Sequence, residues 1–376
     1  MKIYKRLLTF GMVFAMTFGA LPAYAFASPI KENQEATLTV SEAAKMAINE
    51  DSAVKNLNDT EDLSGDKLEQ ALDNMHDSFA LGESAMLNAQ VNYMSLELSS
   101  SLAIKDITAR KENVEYSITK YFNTIINAEK ALELFDSSLD IQKRELDITK
   151  LKLNLGMVSQ LDYDTALLNF ERAGNSRLVY VNSIDKAYRD LNGAMGKPLE
   201  NRYNLVLNLE YKPIEEINIT QYTDTFLNKS LTIKRAEDAK DVAEFQMDNY
   251  IPDYDIETRE IYEDYNKEDQ LLADFNQASR SLADIKLSVK ESIIDTYNSL
   301  RDMEVDIKAG ELELQTSNQQ LTILEKRLAL GQVTALDVDK LKYDIKNKED
   351  DLRKTKNNYV LTVIAFKNPN LLTAAL

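Results

Sequence analysis

Apolar positions along this chain fall into two matched series. Ile118, Ile125, Leu132, Leu139, Leu146 and Leu153 follow one another at steps of seven, and so do Ile293, Leu300, Ile307, Leu314, Leu321 and Leu328. Each member of the second series lies 175 residues after its counterpart in the first. A strict seven-residue repeat keeps one apolar seam turned toward a neighbouring helix and imposes a left-handed supercoil. The positions between are rich in charged and amide side chains, among them Glu311, Glu313, Gln315 and Gln319, as a solvated flank requires. The pattern predicts coiled-coil helices, the second running on the order of 55 Å from Ile293 to Leu330 at 1.5 Å per residue.

The same offset links a second motif. Lys152 to Asp164 lies over Arg327 to Asp339, with a basic residue, two leucines, glycine, valine, a hydroxyl, leucine and two aspartates recurring in register. Gly156 and Gly331 suit the left-handed position that ends a helix, and Val158 and Val333 can fold back over the last turn. Ser159 and Thr334 then cap the next helix, with Asp162 and Asp337 three residues on, as in a capping box with Asp in place of Glu. Each copy therefore reads as an antiparallel helical hairpin with a tight tip. The outgoing arms run from about Ser159 to Leu191 and from Thr334 to Phe366.

Between the copies the texture changes. Gly193, Gly196 and Pro198 stop the first outgoing arm, and the alternation from Asn204 to Leu209 predicts a short strand before Pro213. Leu38 to Ala47 predicts a capped amphipathic helix opening the first copy, and Ile219 to Asn228 opens the second. Asn56 to Lys67, with Asp59, Asp62, Ser64 and Gly65, reads as a loop between helices. The expected division is a leader at 1–27, a helical repeat at 38–200, a linker with a short strand at 201–219 and a second helical repeat at 220–372.

The leader rests on Lys2, Lys5 and Arg6 before an apolar run from Leu7 to Leu21, followed by small-x-small sites at Ala23-Tyr24-Ala25 and Ala25-Phe26-Ala27. That run is shorter than the roughly 20 residues that span a bilayer, and no Cys follows it to carry a lipid. Export with cleavage is the reading. Ten Gly and six Pro among 376 residues leave little material for turns and hairpins, so the chain is expected to be mainly α-helical and elongated.

Charge and composition then exclude whole classes of function. The formal charge of −18 leaves no basic face for nucleic acid. With no Cys, disulfides and thiolate chemistry are excluded. His76 is the single imidazole, so His-dependent triads and His-rich metal sites have no material, and it reads as a surface helix residue. Neither GxGxxG, P-loop nor HExxH patterns occur, and the acidic stretch from Asp253 to Asp274 lacks the glycine-centred spacing of an EF-hand. The chain reads as a non-enzyme with no cofactor.

The doubled tip, together with the opening Leu38-Thr39-Val40-Ser41-Glu42-Ala43-Ala44, resembles the TolC-like outer-membrane efflux proteins over roughly Leu38 to Leu372. The resemblance implies a homotrimer forming a tube of twelve helices continued by a twelve-stranded β-barrel, an exit duct for drugs or secreted proteins. It also implies tips that meet a periplasmic adaptor (membrane fusion protein) linked to an inner-membrane pump. Carried over by position, Gly156, Val158, Ser159, Gly331, Val333 and Thr334 would be adaptor-contacting tips, and Asp162 and Asp337 would line the pore constriction. Both aspartates equally read as plain capping-box residues, and Lys340 stands where the family carries a second pore aspartate.

The sequence departs from the family where barrel strands belong. Such strands are about 9–11 residues with apolar-out alternation. Only Ile251 to Tyr262 alternates in the second copy, and Glu263, Asp264, Glu268 and Asp269 crowd the stretch beyond. In the first copy, Val91 to Leu98 reads as strand or helix. The expected architecture is an α-barrel protomer with at most a few short strands, its barrel shortened or lost. An exported protein of this kind belongs at the outer membrane by resemblance, or at the cell surface or outside the cell if the barrel is absent. The alternative is an extracellular coiled-coil spacer that binds partners and transports nothing.

Overall fold

The computed structural model describes residues 36–251, 254–255, 260–261 and 265–373. The leader at 1–27 and most of the alternating stretch from Ile251 to Tyr262 lie outside them. Strand β1 (Thr37–Thr39) leads into α1 (Val40–Glu50), α2 (Ser52–Asp62), α3 (Ser64–Ser78), α4 (Glu83–Asn154) and α5 (Gln160–Ala194). After β2 (Asn204–Val206) come α6 (Ile219–Leu227), α7 (Leu231–Asp248), β3 (Tyr254–Asp255) and β4 (Glu260–Ile261). The chain closes with α8 (Tyr265–Ala329), α9 (Ala335–Lys367) and α10 (Pro369–Thr373).

The long helices exceed the expected length. α4 has 72 residues and α8 has 65, so each spans about 100 Å at 1.5 Å per residue. Val91 to Leu98 belongs to α4, which settles that segment as helix. The shorter helices flank these two. α2 and α3 pack along the first half of α4, and α5 packs along its second half; α7 and α9 divide α8 in the same way. The repeats join where α4 meets α7 and α9.

The two cores sit where short helices cover the long ones. Ile118, Phe122 and Ile125 of α4 pack with Ala43 and Ala47 of α1 and with Tyr188 and Leu191 of α5. Ile293, Leu300 and Ile307 of α8 pack with Phe226 of α6, Ile233 of α7 and Tyr359 and Phe366 of α9. Toward the tips the seven-residue series continues, but Leu139, Leu146, Leu153, Leu314, Leu321 and Leu328 are only half-buried. The cause is geometric: between these two cores and the tips the helices form a single layer, with no other described element above or below it.

One expected loop is absent. Residues 56–67 are helical in α2 and α3 apart from Leu63, whose backbone is itself in the right-handed α region. Asp51 caps α2 by accepting from the Val54 N–H at 2.8 Å. Val54 and Ala71 are buried, and packing on α4 outweighs the weak helix propensity of Asn56, Asp59 and Gly65.

β1 and β2 pair in parallel, Leu38 opposite Leu205, and β3 and β4 pair antiparallel. Among the described residues no strand exceeds three residues. In the first repeat, α3 passes to α4 through a four-residue turn, Phe79 to Gly82. Gly196 ends α5 with φ +64 and would bring an added Cβ within 2.7 Å of the Glu50 Cγ. Gly196→Ala is expected to lower stability by about 1–2 kcal/mol, mostly from left-handed strain, checked by the urea midpoint at unchanged slope.

Candidate functional site: the paired hairpin tips

Both tips are built by local rules, at the same offset. At the end of α4, Gly156 takes φ +68. Its N–H donates to the Leu153 carbonyl at 2.9 Å, and the Met157 N–H donates to the Lys152 carbonyl at 2.8 Å. At the end of α8, Gly331 takes φ +69, and the Gly331 and Gln332 N–H groups reach Leu328 and Arg327, both at 2.9 Å. These are paired Schellman caps. Val158 and Val333 are half-buried against them.

The return helices start on reciprocal capping boxes. Ser159 Oγ accepts from the Asp162 N–H at 3.2 Å, while Asp162 Oδ2 accepts from the Ser159 N–H at 2.9 Å. Thr334 and Asp337 do the same at 3.2 and 2.8 Å. Bonds from the Ser159 side chain and then its backbone hold the Asp162 carboxyl below its ordinary value, and Thr334 does so for Asp337, backbone first. Both aspartates are exposed and ionised at neutral pH.

The tips lie at one end of the molecule, side by side. α4 and α9 run antiparallel and are pinned to each other at several levels. Near the tips Arg144 pairs with Asp339, and Lys340 Nζ lies 2.5 Å from Glu145 Oε1. Farther back Asn357 Nδ2 donates to Asn123 Oδ1 at 2.9 Å, and Asn368 Nδ2 to Glu112 Oε2 at 2.7 Å. These pairs join residues about 195 to 256 positions apart, so no local pattern announces them. Lys340 in particular serves as the partner of Glu145, whose hydrogen bond raises its pKa.

The surface at this end is apolar and unusually open. Leu155, Met157, Leu161 and Leu330 are 65%, 68%, 74% and 72% exposed. Beneath them a groove of about 480 Å³ opens between α4, α5 and the start of α9, lined by Glu145, Lys152, Phe170, Leu336 and Lys340 among others. The arrangement offers two apolar knobs over a groove carrying both signs of charge, which suits docking of another protein's helices. Among the described residues no cluster of three or more His, Asp or Glu side chains is placed to hold a metal ion. His76 lies exposed in the last turn of α3.

Neither a protein-family model nor a curated protein sequence matches the chain. Solved structures do. The CmeC outer-membrane channel of Campylobacter jejuni superposes with a TM-score of 0.60 at 11% identity, covering 86% of this chain and 84% of CmeC. CusC, whose structures concern folding and transmembrane channel formation, gives 0.65 at 10% identity over 90% of this chain and 92% of its own. The outer-membrane protein VceC of Vibrio cholerae gives 0.57 at 12% identity, covering 87% and 95%. The chain has a TolC-like fold.

At 10–12% identity the likeness is one of fold, and the TolC-like architecture is what the doubled hairpin builds. The expected all-helical, two-hairpin protomer with at most a few short strands is found among the described residues. At both hairpin tips the glycine, valine and hydroxyl residues take the helix-cap positions expected from the sequence.

Proposed function

We propose that this protein is a TolC-like exit duct for efflux or secretion, a homotrimer that crosses the cell envelope and conducts through its central axis. Its tips, built on Gly156, Val158, Ser159, Gly331, Val333 and Thr334, dock a periplasmic adaptor, which couples the duct to an inner-membrane pump. Asp162 and Asp337 stand at the narrow end, where a ring of carboxylates favours cations. The observation that carries the reading is the placement of two matched tips at one end of a single-layer helical wall, each crowned by exposed leucines. A leader peptide directs the chain out of the cytoplasm, to the outer membrane or the cell surface. No helix among the described residues is long and apolar enough to cross a membrane.

A second reading, a coiled-coil spacer without transport, is favoured by one observation: where the resemblance implies barrel strands in the first repeat, α3 passes to α4 through the four-residue turn Phe79 to Gly82. End-on electron microscopy of the purified mature oligomer separates the two. The duct requires an open axis, and a strain lacking the protein is expected to accumulate exported compounds. A solid axis, or unchanged export, overturns the duct. Leu155→Asp combined with Leu330→Asp is expected to leave assembly intact and reduce export to the level of the deletion strain.

A further inference from the structure

In the half of the molecule away from the tips, the two repeats meet along a groove of about 550 Å³ between α2, α4 and α7. The groove is charged at one end and apolar beyond it. α7 runs antiparallel to α4, so Arg235 and Asp238 of α7 lie beside Asp106 of α4, and the groove continues past Leu102 and Leu98 to Ser95. Leu57 of α2 and Val242 of α7, both half-buried, line its sides. From Asp106 to Ser95 it follows α4 for about 16 Å at 1.5 Å per residue. Hydroxyls along it are spent on their own helices: Thr60 Oγ1 donates to the Asn56 carbonyl and Ser95 Oγ to the Val91 carbonyl, both at 2.8 Å.

The charged end holds a carboxylate that the fold leaves unsatisfied. Asp106 Oδ1 pairs with Arg235 Nη2 at 2.5 Å. Asp238 is 7% exposed, and neither of its oxygens accepts a hydrogen bond. Its one ion-pair partner among the described residues is Lys234, whose Nζ lies 2.8 Å from Oδ1 without the alignment of a hydrogen bond. Lys234 sits one turn earlier on α7 and is exposed, so its flexible stem can carry the ammonium out into water. A buried carboxylate without hydrogen bonds is costly, and Asp238 belongs to neither core nor to the tips.

We infer that this groove binds a primary amine carried on an apolar chain, with the ammonium on Asp238 and the chain along Leu102, Leu98 and Val242. The ammonium of a separate molecule brings N–H donors that align with the carboxylate, which Lys234, tethered to the same helix, does not. Binding displaces the Lys234 head into water and opens the carboxylate to the groove. The chain removes water from half-buried apolar side chains. An amine without the chain gains only the first contribution, and a chain without the charge only the second. The site lies within one chain and holds whether the oligomer is a duct or a spacer.

Isothermal titration calorimetry of the purified protein with hexylamine and octylamine at neutral pH tests the site. Octylamine is expected to bind saturably, with affinity rising about twofold to fourfold for each added methylene. Octanol, which lacks the charge, and octyltrimethylammonium, which lacks the N–H, are expected to bind about tenfold more weakly. Asp238→Asn removes one of 62 acidic side chains and is expected to weaken octylamine about tenfold. Lys234→Ala removes the competing ammonium and is expected to tighten it about threefold. Val242→Phe fills the apolar end and is expected to flatten the dependence on chain length, which decides the matter if Asp238→Asn does not fold. Equal affinity for octylamine and octyltrimethylammonium, an affinity that Asp238→Asn leaves unchanged or Lys234→Ala does not raise, a chain-length dependence that Val242→Phe leaves intact, or no saturable binding overturns the site.

Discussion

Tyr359→Ala is expected to destabilise the protein by about 3–5 kcal/mol, the range for removing a buried aromatic side chain. Tyr359 is 0% exposed in the core of the second repeat. Its hydroxyl donates to Glu304 Oε1 at 2.5 Å and accepts from the Ile214 N–H at 2.8 Å. Arg301 Nη1 completes the cluster, 2.7 Å from Glu304 Oε2. Alanine at this position opens a cavity, removes an edge-to-face contact with Tyr211 at 5.0 Å and releases the linker at Ile214. Tyr359→Phe isolates the polar part and is expected to cost about 1–3 kcal/mol. Urea unfolding measures both.

The same cluster sets a pH dependence. Burial pushes the Glu304 carboxyl up, but hydrogen bonds from Tyr359, Arg301 and the Ile214 backbone outweigh it and leave the pKa below 4.5. A depressed folded value contributes stability that is fully present above the unfolded value and is lost as pH falls through the folded one. Glu304→Gln is therefore expected to flatten the loss of stability below about pH 4.5. An unchanged acid slope would show that Glu304 does not contribute.

Phe122→Ala is the counterpart in the first repeat, also expected to cost about 3–5 kcal/mol. Phe122 is 0% exposed among residues of α1, α4 and α5, none of which belongs to the second core. The two substitutions are expected to loosen different halves: hydrogen exchange rises in α1, α5 and the middle of α4 for Phe122→Ala, and in α6, α9 and the middle of α8 for Tyr359→Ala. Matching exchange maps for both variants would show one cooperative core instead of two.

The TolC-like tips were legible in the sequence because every interaction that makes them is local. A left-handed glycine, a carbonyl five residues back and a carboxyl three residues on need no partner from elsewhere, so Gly156, Ser159 and Asp162 announce themselves, as do Gly331, Thr334 and Asp337. The internal seam was legible for the same reason, since a seven-residue step has one packing solution. The segment at 56–67 misled because its Asp, Asn and Gly residues speak against a helix locally, while Val54 and Ala71 are held by contact with α4.

Length, periodicity and composition thus determined two matched hairpins, their tips and the scarcity of strands. Only the tertiary structure decided that the tips lie at one end and that Lys340 belongs to Glu145. Those outcomes depend on which helix sides meet across nearly 200 residues, as Arg144 meets Asp339. Such pairings are fixed by the simultaneous burial of several faces, a condition that no single stretch of sequence contains.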